Sequence, residues 1–187
     1  VYALVLLAQL RADSAEAALK YLVLGGTATA TFLMGVALLY GGNGGTLALE
    51  GFRRAVAASD NTMAPIGAVL VLLAFFLKGA VVPLHTWAPD AYEGASVPVT
   101  GYMAAVVKAG VLLAAVRLFG EASLSMPVVQ LLIALPLLSV VWGNLAALRQ
   151  PNLRRMMAYS SIAHAGYLYL ALLGAGPGRL RSVLFYL

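Results

Sequence analysis

Long apolar runs separated by short polar punctuation occupy most of this chain. The runs 18–40, 62–82, 97–119, 126–148 and 151–173 are each long enough to cross roughly 30 Å of hydrocarbon as a helix. Residues 1–10 read as the tail of a helix that begins upstream, and a further run opens at 180. The pattern therefore predicts five complete membrane crossings and two partial ones. Between the first two elements, Arg11-Ala-Asp13-Ser14 is a short polar exit, and Ser14 followed by Glu16 marks a helix start.

The punctuation carries its own information. Gly41-Gly42-Asn43-Gly44-Gly45 ends the 18–40 span. Residues 46–60 set Leu47, Leu49, Phe52 and Val56 against Glu50, Arg53 and Arg54, the pattern of an amphipathic helix lying at a membrane surface. Pro83 stops the 62–82 crossing. It either simply ends that span or breaks it, since proline removes an intrahelical hydrogen bond and clashes with the preceding turn. Residues 84–96, polar and proline-containing, read as a loop.

Composition turns this pattern into a class. Hydrophobic residues make up 62% of the chain and mean hydropathy is +0.91, above the roughly 45–50% apolar content of soluble domains. The predicted fold is an all-α polytopic transmembrane helix bundle, a single transmembrane domain over residues 1–187. The chain has no cysteine, which excludes disulfides, thiolate metal sites, cysteine-ligated iron–sulfur clusters and a cysteine nucleophile. The net charge of +5 is spread along the sequence, with no basic patch interleaved with aromatics, so nucleic acid is not an expected partner; the lipid bilayer is. Arg11, Lys20, Arg149, Arg154 and Arg155 fall on one side of the predicted membrane, Arg53, Arg54, Arg117, Arg179 and Arg181 on the other, so basic residues do not orient the bundle. Val1 and Leu187 both stand inside apolar runs, as expected of an internal piece of a longer subunit.

Two charges then stand out. Lys78 lies in MAPIGAVLVLLAFFLKGAVV and Lys108 in VPVTGYMAAVVKAGVLLAAV. A lysine at the centre of a bilayer helix costs about 2.5–3.5 kcal/mol on insertion scales. Desolvation disfavours the charged amine, and an amine brought near neutrality can accept and release protons. The structural alternative is a pair of lysines snorkelling or bound to backbone carbonyls. Two ammonium groups about 8 Å apart repel by about 2 kcal/mol at an effective dielectric of 20, enough to shift a proton equilibrium more than tenfold. His85 and His164 are candidate proton carriers. Tyr159, Ser160, Ser161 and Tyr167 around His164 either line a hydrated path or pair with one another. His85, Asp90 and Glu93 match no metal-ligand spacing, so no metal site is expected. Ser160-Ser161 with His164 lacks a nucleophile elbow and an orienting aspartate, and the glycine run lacks the lysine of a phosphate loop.

Two longer stretches resemble a known family. Phe76-Leu77-Lys78-Gly79-Ala80-Val81-Val82-Pro83-Leu84-His85-Thr86-Trp87-Ala88-Pro89-Asp90-Ala91-Tyr92-Glu93-Gly94-Ala95 is one; Gly143-Asn144-Leu145 through Ser160-Ser161-Ile162-Ala163-His164-Ala165-Gly166-Tyr167 is the other. Both resemble the antiporter-like membrane subunits of respiratory complex I (NADH-quinone oxidoreductase), and most closely the N-subunit branch. That family shares ancestry with multisubunit cation/proton antiporters and membrane-bound hydrogenases.

The resemblance implies a proton-translocating subunit of a translocase, coupled to electron transfer from NADH to quinone, that makes no bonds itself. It implies that Lys78 is a central lysine on a broken helix and Lys108 a connecting lysine on the next. Lys20 would stand at the start of the preceding helix; together with the candidate proton carriers His85 and His164, these three lysines make up the expected proton-transfer path. A glutamate partner of the central lysine would fall upstream of Val1, and an exit-side lysine beyond Leu187. FMN, iron–sulfur clusters and quinone are expected in other subunits, with no cofactor in this chain. Other membrane subunits, including neighbouring antiporter-like ones, are the implied partners, in the plasma (inner) membrane of a bacterium. Ser96-Val97-Pro98 and Arg154-Arg155 depart slightly from the family pattern. The alternatives are a cation/proton antiporter or membrane-bound hydrogenase subunit and a purely structural scaffold.

Overall fold

A computed structural model describes residues 1–7, 12–42, 44–46, 48–57, 63–119, 124–174 and 178–186. Arg11, Asn43, Leu47 and Leu187, the end of the 46–60 segment and the side chains of Asp13 and Arg179 lie outside what it describes. The helices are α1 (Tyr2–Leu7), α2 (Ala12–Gly42), α3 (Leu49–Ala57), α4 (Met63–Gly79), α5 (Trp87–Gly94), α6 (Val97–Tyr102), α7 (Lys108–Phe119), α8 (Met126–Leu148), α9 (Leu153–Leu170) and α10 (Gly178–Tyr186). A π-helical turn, Met103–Val107, joins α6 to α7, and a 3₁₀ turn, Ala171–Leu173, extends α9. No strand occurs among the described residues. Four stretches are long and apolar enough to span a membrane: Ser14–Gly42, Val97–Phe119, Met126–Leu148 and Leu153–Leu173. Met63–Gly79 is a shorter apolar helix.

Small residues set the closest approaches. A Cβ on Gly35 would lie 2.8 Å from the Gly67 carbonyl oxygen, and one on Gly67 equally close to that of Gly35, so α2 and α4 meet backbone to backbone. Between α8 and α9 a Cβ on Gly166 would stand 2.6 Å from the Pro136 carbonyl oxygen. In lipid, helices gain little from apolar burial against one another, so such close packing is the main source of association. The short α5 lies between α2 and α9.

The crossing that opens at Met63 is broken, and the break is well built. The Val81 N–H donates to Phe76 O at 2.9 Å and Ala80 N–H to Leu77 O at 3.4 Å. This is the Schellman pattern, with Ala80 at φ 59° in the left-handed position usually held by glycine. That conformation costs a non-glycine residue about 1–2 kcal/mol. Gly79 next to it cannot carry a side chain for a different reason: a Cβ there would lie 2.8 Å from the Tyr169 ring. Tyr169 uses that space to donate its hydroxyl to Phe75 O at 2.8 Å, and Trp87 Nε1 donates to Leu77 O at 2.9 Å. The Val82 N–H donates to the buried Ser139 Oγ on α8 at 2.8 Å. The Val82–Pro83 peptide is cis.

Pro83 thus interrupts a helix rather than ending a crossing, and residues 84–96 are not the predicted loop: Trp87–Gly94 is helical. The polar residues there are its exposed face; Trp87, Ala88, Ala91 and Tyr92 are its buried one. Ser14 does not open a helix either. It lies inside α2, where its hydroxyl donates to Gly94 O at 2.8 Å and ties α2 to the end of α5.

Two apolar cores meet at the break. One gathers Leu72, Phe75, Phe76, Val81, Phe119, Leu132 and Tyr169; the other gathers Tyr21, Ala80, Val82, Trp87, Tyr92, Met103 and Ile162. The amphipathic α3 buries Ala55 and Val56 in the first core, and its Arg53 donates to Arg117 O at the end of α7. Replacing Ser139 with alanine strands the Val82 N–H, and an unsatisfied buried donor costs about 1–3 kcal/mol. Thermal unfolding in detergent is expected to show a lower Tm for Ser139→Ala, with Ser139→Thr, which keeps the oxygen, losing less.

Candidate functional site

Lys78 sits in the last turn of α4, immediately before the break. Its Nζ donates to the Tyr2 hydroxyl at 3.0 Å and lies 5.7 Å from the centre of the same ring. On its other side it lines a cavity of about 340 Å³ with Ala28, Thr29 and Phe32 of α2 and Val107, Gly110, Val111 and Ala114 of the α6–α7 helix.

Lys108 follows directly on the π-helical turn. Its half-buried ammonium donates to the Ser161 carbonyl at 2.7 Å and to the Ser161 hydroxyl on α9. Tyr92 Oη lies 3.5 Å from that hydroxyl. Lys108 lines a larger cavity, about 620 Å³, with Tyr92, Thr100, Ser160, Ser161, His164 and Tyr186. The two lysines therefore open on different faces of one helix: Val107, Gly110, Val111 and Ala114 face the first cavity, and Gly101, Ala104, Ala105 and Lys108 the second. Among the described residues neither amine meets a carboxylate.

The histidines separate as well. His164 lies on an exposed face of α9, its Nδ1 2.7 Å from the Tyr186 hydroxyl, and shares the Lys108 cavity. His85 lies in the break, its ring centre 6.3 Å from that of Tyr159. Of the polar residues around His164, Ser160 and Ser161 line the same cavity and the Tyr167 ring centre lies 6.2 Å from its own, whereas Tyr159 faces His85 instead.

Lys20 stands in a surface cluster that sequence reading missed. Its Nζ lies 2.7 Å from Glu16 and 2.8 Å from Asp90 Oδ2. Arg155 Nη1 reaches Asp90 Oδ1 at 3.0 Å and Glu93 Oε2 at 2.9 Å, and Asn152 Nδ2 donates to Glu93 Oε1 at 2.6 Å. Arg154 donates to the Glu93 and Ala95 carbonyls. The cluster joins the start of α2, the end of α5 and the start of α9. A signal was present: Arg154-Arg155 falls in the first turn of α9, where cations oppose the helix dipole and call for acidic partners. With both carboxylates engaged by cations, Asp90 and Glu93 are not free metal ligands, and no group of three metal-binding side chains occurs among the described residues.

This geometry defines a class: a polytopic helical membrane protein with amines beside two cavities next to a broken helix. The chain belongs to the NADH:quinone oxidoreductase/Mrp antiporter transmembrane family, whose profile it matches over residues 1–187. It is 40% identical over 185 residues to NADH-quinone oxidoreductase subunit N of Pelobacter propionicus, a match covering 99% of this chain and 40% of that protein. With subunit N of Moorella thermoacetica it shares 41% over 177 residues, covering 94% and 37%. Among solved structures it is similar to a chain of respiratory complex I from Thermus thermophilus with bound aureothin (TM-score 0.81, 40% identity, 99% of this chain and 40% of that one). It is also similar to a chain of the Mrp complex from Dietzia sp. DQ12-45-1b (TM-score 0.85, 26% identity, 99% and 35%). The chain spans two fifths or less of the length of these relatives.

Among the described residues Arg155 is the side chain bonded to both α5 carboxylates, while Asp90 keeps Lys20 in its absence. Arg155→Ala is expected to lower stability by about 1 kcal/mol, after solvent screening of a partly exposed group. Proteolysis should show α5 opening earlier in that variant than in Arg149→Ala.

Proposed function

We propose that this chain is the central part of a longer, proton-translocating membrane subunit of NADH-quinone oxidoreductase, of the subunit N type. Residues 1–187 form one transmembrane unit within that subunit, in a bacterial plasma membrane. Flavin, iron–sulfur clusters and quinone belong to other subunits, and neighbouring antiporter-like subunits are its partners in the membrane. The observation that carries this reading is the setting of the two amines. Each lies within or at the end of an apolar helix, beside a cavity that opens at the side of the bundle, and donates to a hydroxyl: Lys78 to Tyr2 and Lys108 to Ser161, whose carbonyl is a second acceptor. Hydroxyl and carbonyl oxygens accept from an ammonium and so lower the cost of holding it inside the bundle.

In this mechanism a proton reaches Lys78 from the cavity between α2, α4 and α7. It passes across the α6–α7 helix to Lys108, and onward past Ser161 to His164 and Tyr186. Repulsion between the two ammonium states couples them, since like charges in a poorly polarisable interior disfavour double protonation, so a proton arriving at one amine promotes release from the other. His85, in the break, exchanges protons beside Tyr159. Lys20 holds α5 in place through Asp90, at the surface end of the path.

A second reading, a subunit of a cation/proton antiporter, is supported by the similarity to the Mrp complex chain. The partner set distinguishes the two: copurification with a peripheral redox arm favours the first, and with antiporter subunits alone the second.

Lys78→Ala and Lys108→Ala, each in a normally assembled complex, are expected to abolish most proton pumping at this subunit and lower the proton-to-electron ratio in reconstituted vesicles. Ser161→Ala, which leaves the carbonyl partner of Lys108, should lose less than Lys108→Ala. A wild-type ratio in both lysine variants would mean that the helices serve as scaffold.

A further inference from the structure

We propose that Lys20 is a positioning residue. Its bond to Asp90 sets where α5 stands along α2 and, through Trp87, where the end of α4 holds Lys78. The role needs a fixed cation at position 20, not a proton that comes and goes. It rests on the reading of Lys78 as a proton-carrying group.

The first observation is a ladder of contacts between α2 and α5. The Ser14 hydroxyl donates to Gly94 O at 2.8 Å, and the Lys20 ammonium donates to Asp90 Oδ2 at 2.8 Å. The Tyr21 ring stacks on Trp87 with centres 4.8 Å apart. The order rises along α2 and falls along α5, so the two helices run antiparallel here. Ser14 and Tyr21 are seven residues apart, and so are Gly94 and Trp87. At about 1.5 Å per residue the two segments match in length, and α5 is in register with α2 from end to end.

The second observation is that Asp90 is held from both sides. One carboxylate oxygen takes Lys20 from α2, and the other takes Arg155 Nη1 from α9 at 3.0 Å. Stacked rings tolerate a range of offsets, whereas a charge-assisted hydrogen bond holds one oxygen at one distance. The Lys20 bond is therefore the contact that pins the register on the α2 side.

The third is how this contact reaches Lys78. Asp90 and Trp87 stand at i and i+3 on α5, one turn apart. Trp87 Nε1 donates to Leu77 O at 2.9 Å, and Leu77 immediately precedes Lys78. Consecutive residues of α2, Lys20 and Tyr21, thus grip the turn of α5 whose indole binds the helix end carrying the amine. A slide of α5 along α2 draws that indole away from the carbonyl. The cavities beside Lys78 and Lys108 are not lined by Lys20, whose bonds are to Glu16 and Asp90.

The test measures proton pumping against electron transfer by the assembled complex in vesicles. The variants are Lys20→Arg, Lys20→Met, Asp90→Asn, Trp87→Phe, Lys20→Met combined with Trp87→Phe, and Lys78→Ala. Arginine keeps the cation but is not deprotonated in proteins, so it can hold Asp90 and cannot relay a proton. Lys20→Arg is expected to pump within about twofold of wild type, with an unchanged pH profile. Lys20→Met should be about threefold slower, the scale of a partly exposed ion pair. Asp90→Asn, of the same shape, should be slowed at least as much. Trp87→Phe keeps a ring on Tyr21 but cannot bond Leu77 O. Combined with Lys20→Met it should be no slower than the slower single variant, because both act at one contact.

Lys20→Arg as slow as Lys20→Met overturns the proposal, since position 20 then needs an amine that gives up its proton. Wild-type pumping by Lys20→Met with an inactive Lys78→Ala overturns it too and leaves the reading of Lys78 intact. Additive losses in the double variant overturn it as well. So does failure of Lys20→Met to assemble, which makes the ion pair structural. Wild-type pumping by Lys78→Ala removes the reading and the proposal together.

Discussion

In hydrocarbon, a backbone group released from a helix must find a partner within the protein, and the segment 80–86 is organised around that demand. The carbonyls at the end of α4 are met by Tyr169 from α9, Trp87 from α5 and the Val81 N–H, while Ser139 from α8 receives the Val82 N–H. Three separate helices are thereby held around one interruption. The requirement explains why Gly79 is bare, since Tyr169 needs its space, and why Ala80 bears the left-handed conformation in its stead. It also explains why the two apolar cores meet there, with Val81 in one and Ala80 and Val82 in the other.

Among the described residues the amine beside the break donates to a hydroxyl, and the carboxylates of α5 are engaged elsewhere. Asp90 and Glu93 are engaged at the surface end of the bundle, where water lowers the cost of charge, by Lys20, Arg155 and Asn152. That cluster fixes the far end of α5 to α2 and α9, so the short helix beyond the break is held at both ends: by Trp87 at its start and by its carboxylates at its finish. Among the described residues Lys78 and Lys108 donate to hydroxyl and carbonyl oxygens, which help to solvate an ammonium inside the bundle.

The α6–α7 helix divides the interior. Its π-helical turn adds a residue to one turn of the helix just before Lys108, and such turns occur often at functional positions. One face, carrying Val107, Gly110, Val111 and Ala114, closes the Lys78 cavity; the adjacent face presents Lys108 to Ser161 and His164. The two lysines that sequence places on successive helices thus lie on opposite sides of a helix face, each beside its own cavity and its own hydroxyl.

Much of this was legible in the chain itself. Hydrophobic run length determined an all-α membrane bundle, because only a helix satisfies its own backbone across a bilayer. The cost of charge in hydrocarbon marked Lys78 and Lys108, and Pro83 marked the region of the break. The sequence did not disclose that 87–94 is helical, since a short helix buried on one face and ionic on the other has too few residues to show a period. Nor did it disclose the partners: Tyr2 on Lys78, Ser161 on Lys108, Ser139 on Val82, and Arg155 on two carboxylates some sixty positions away. Periodicity reports which face of a helix is apolar. Which atoms meet across two helices depends on their crossing and rotation, and those are settled by glycine contacts and hydrogen bonds that exist only once the bundle is packed.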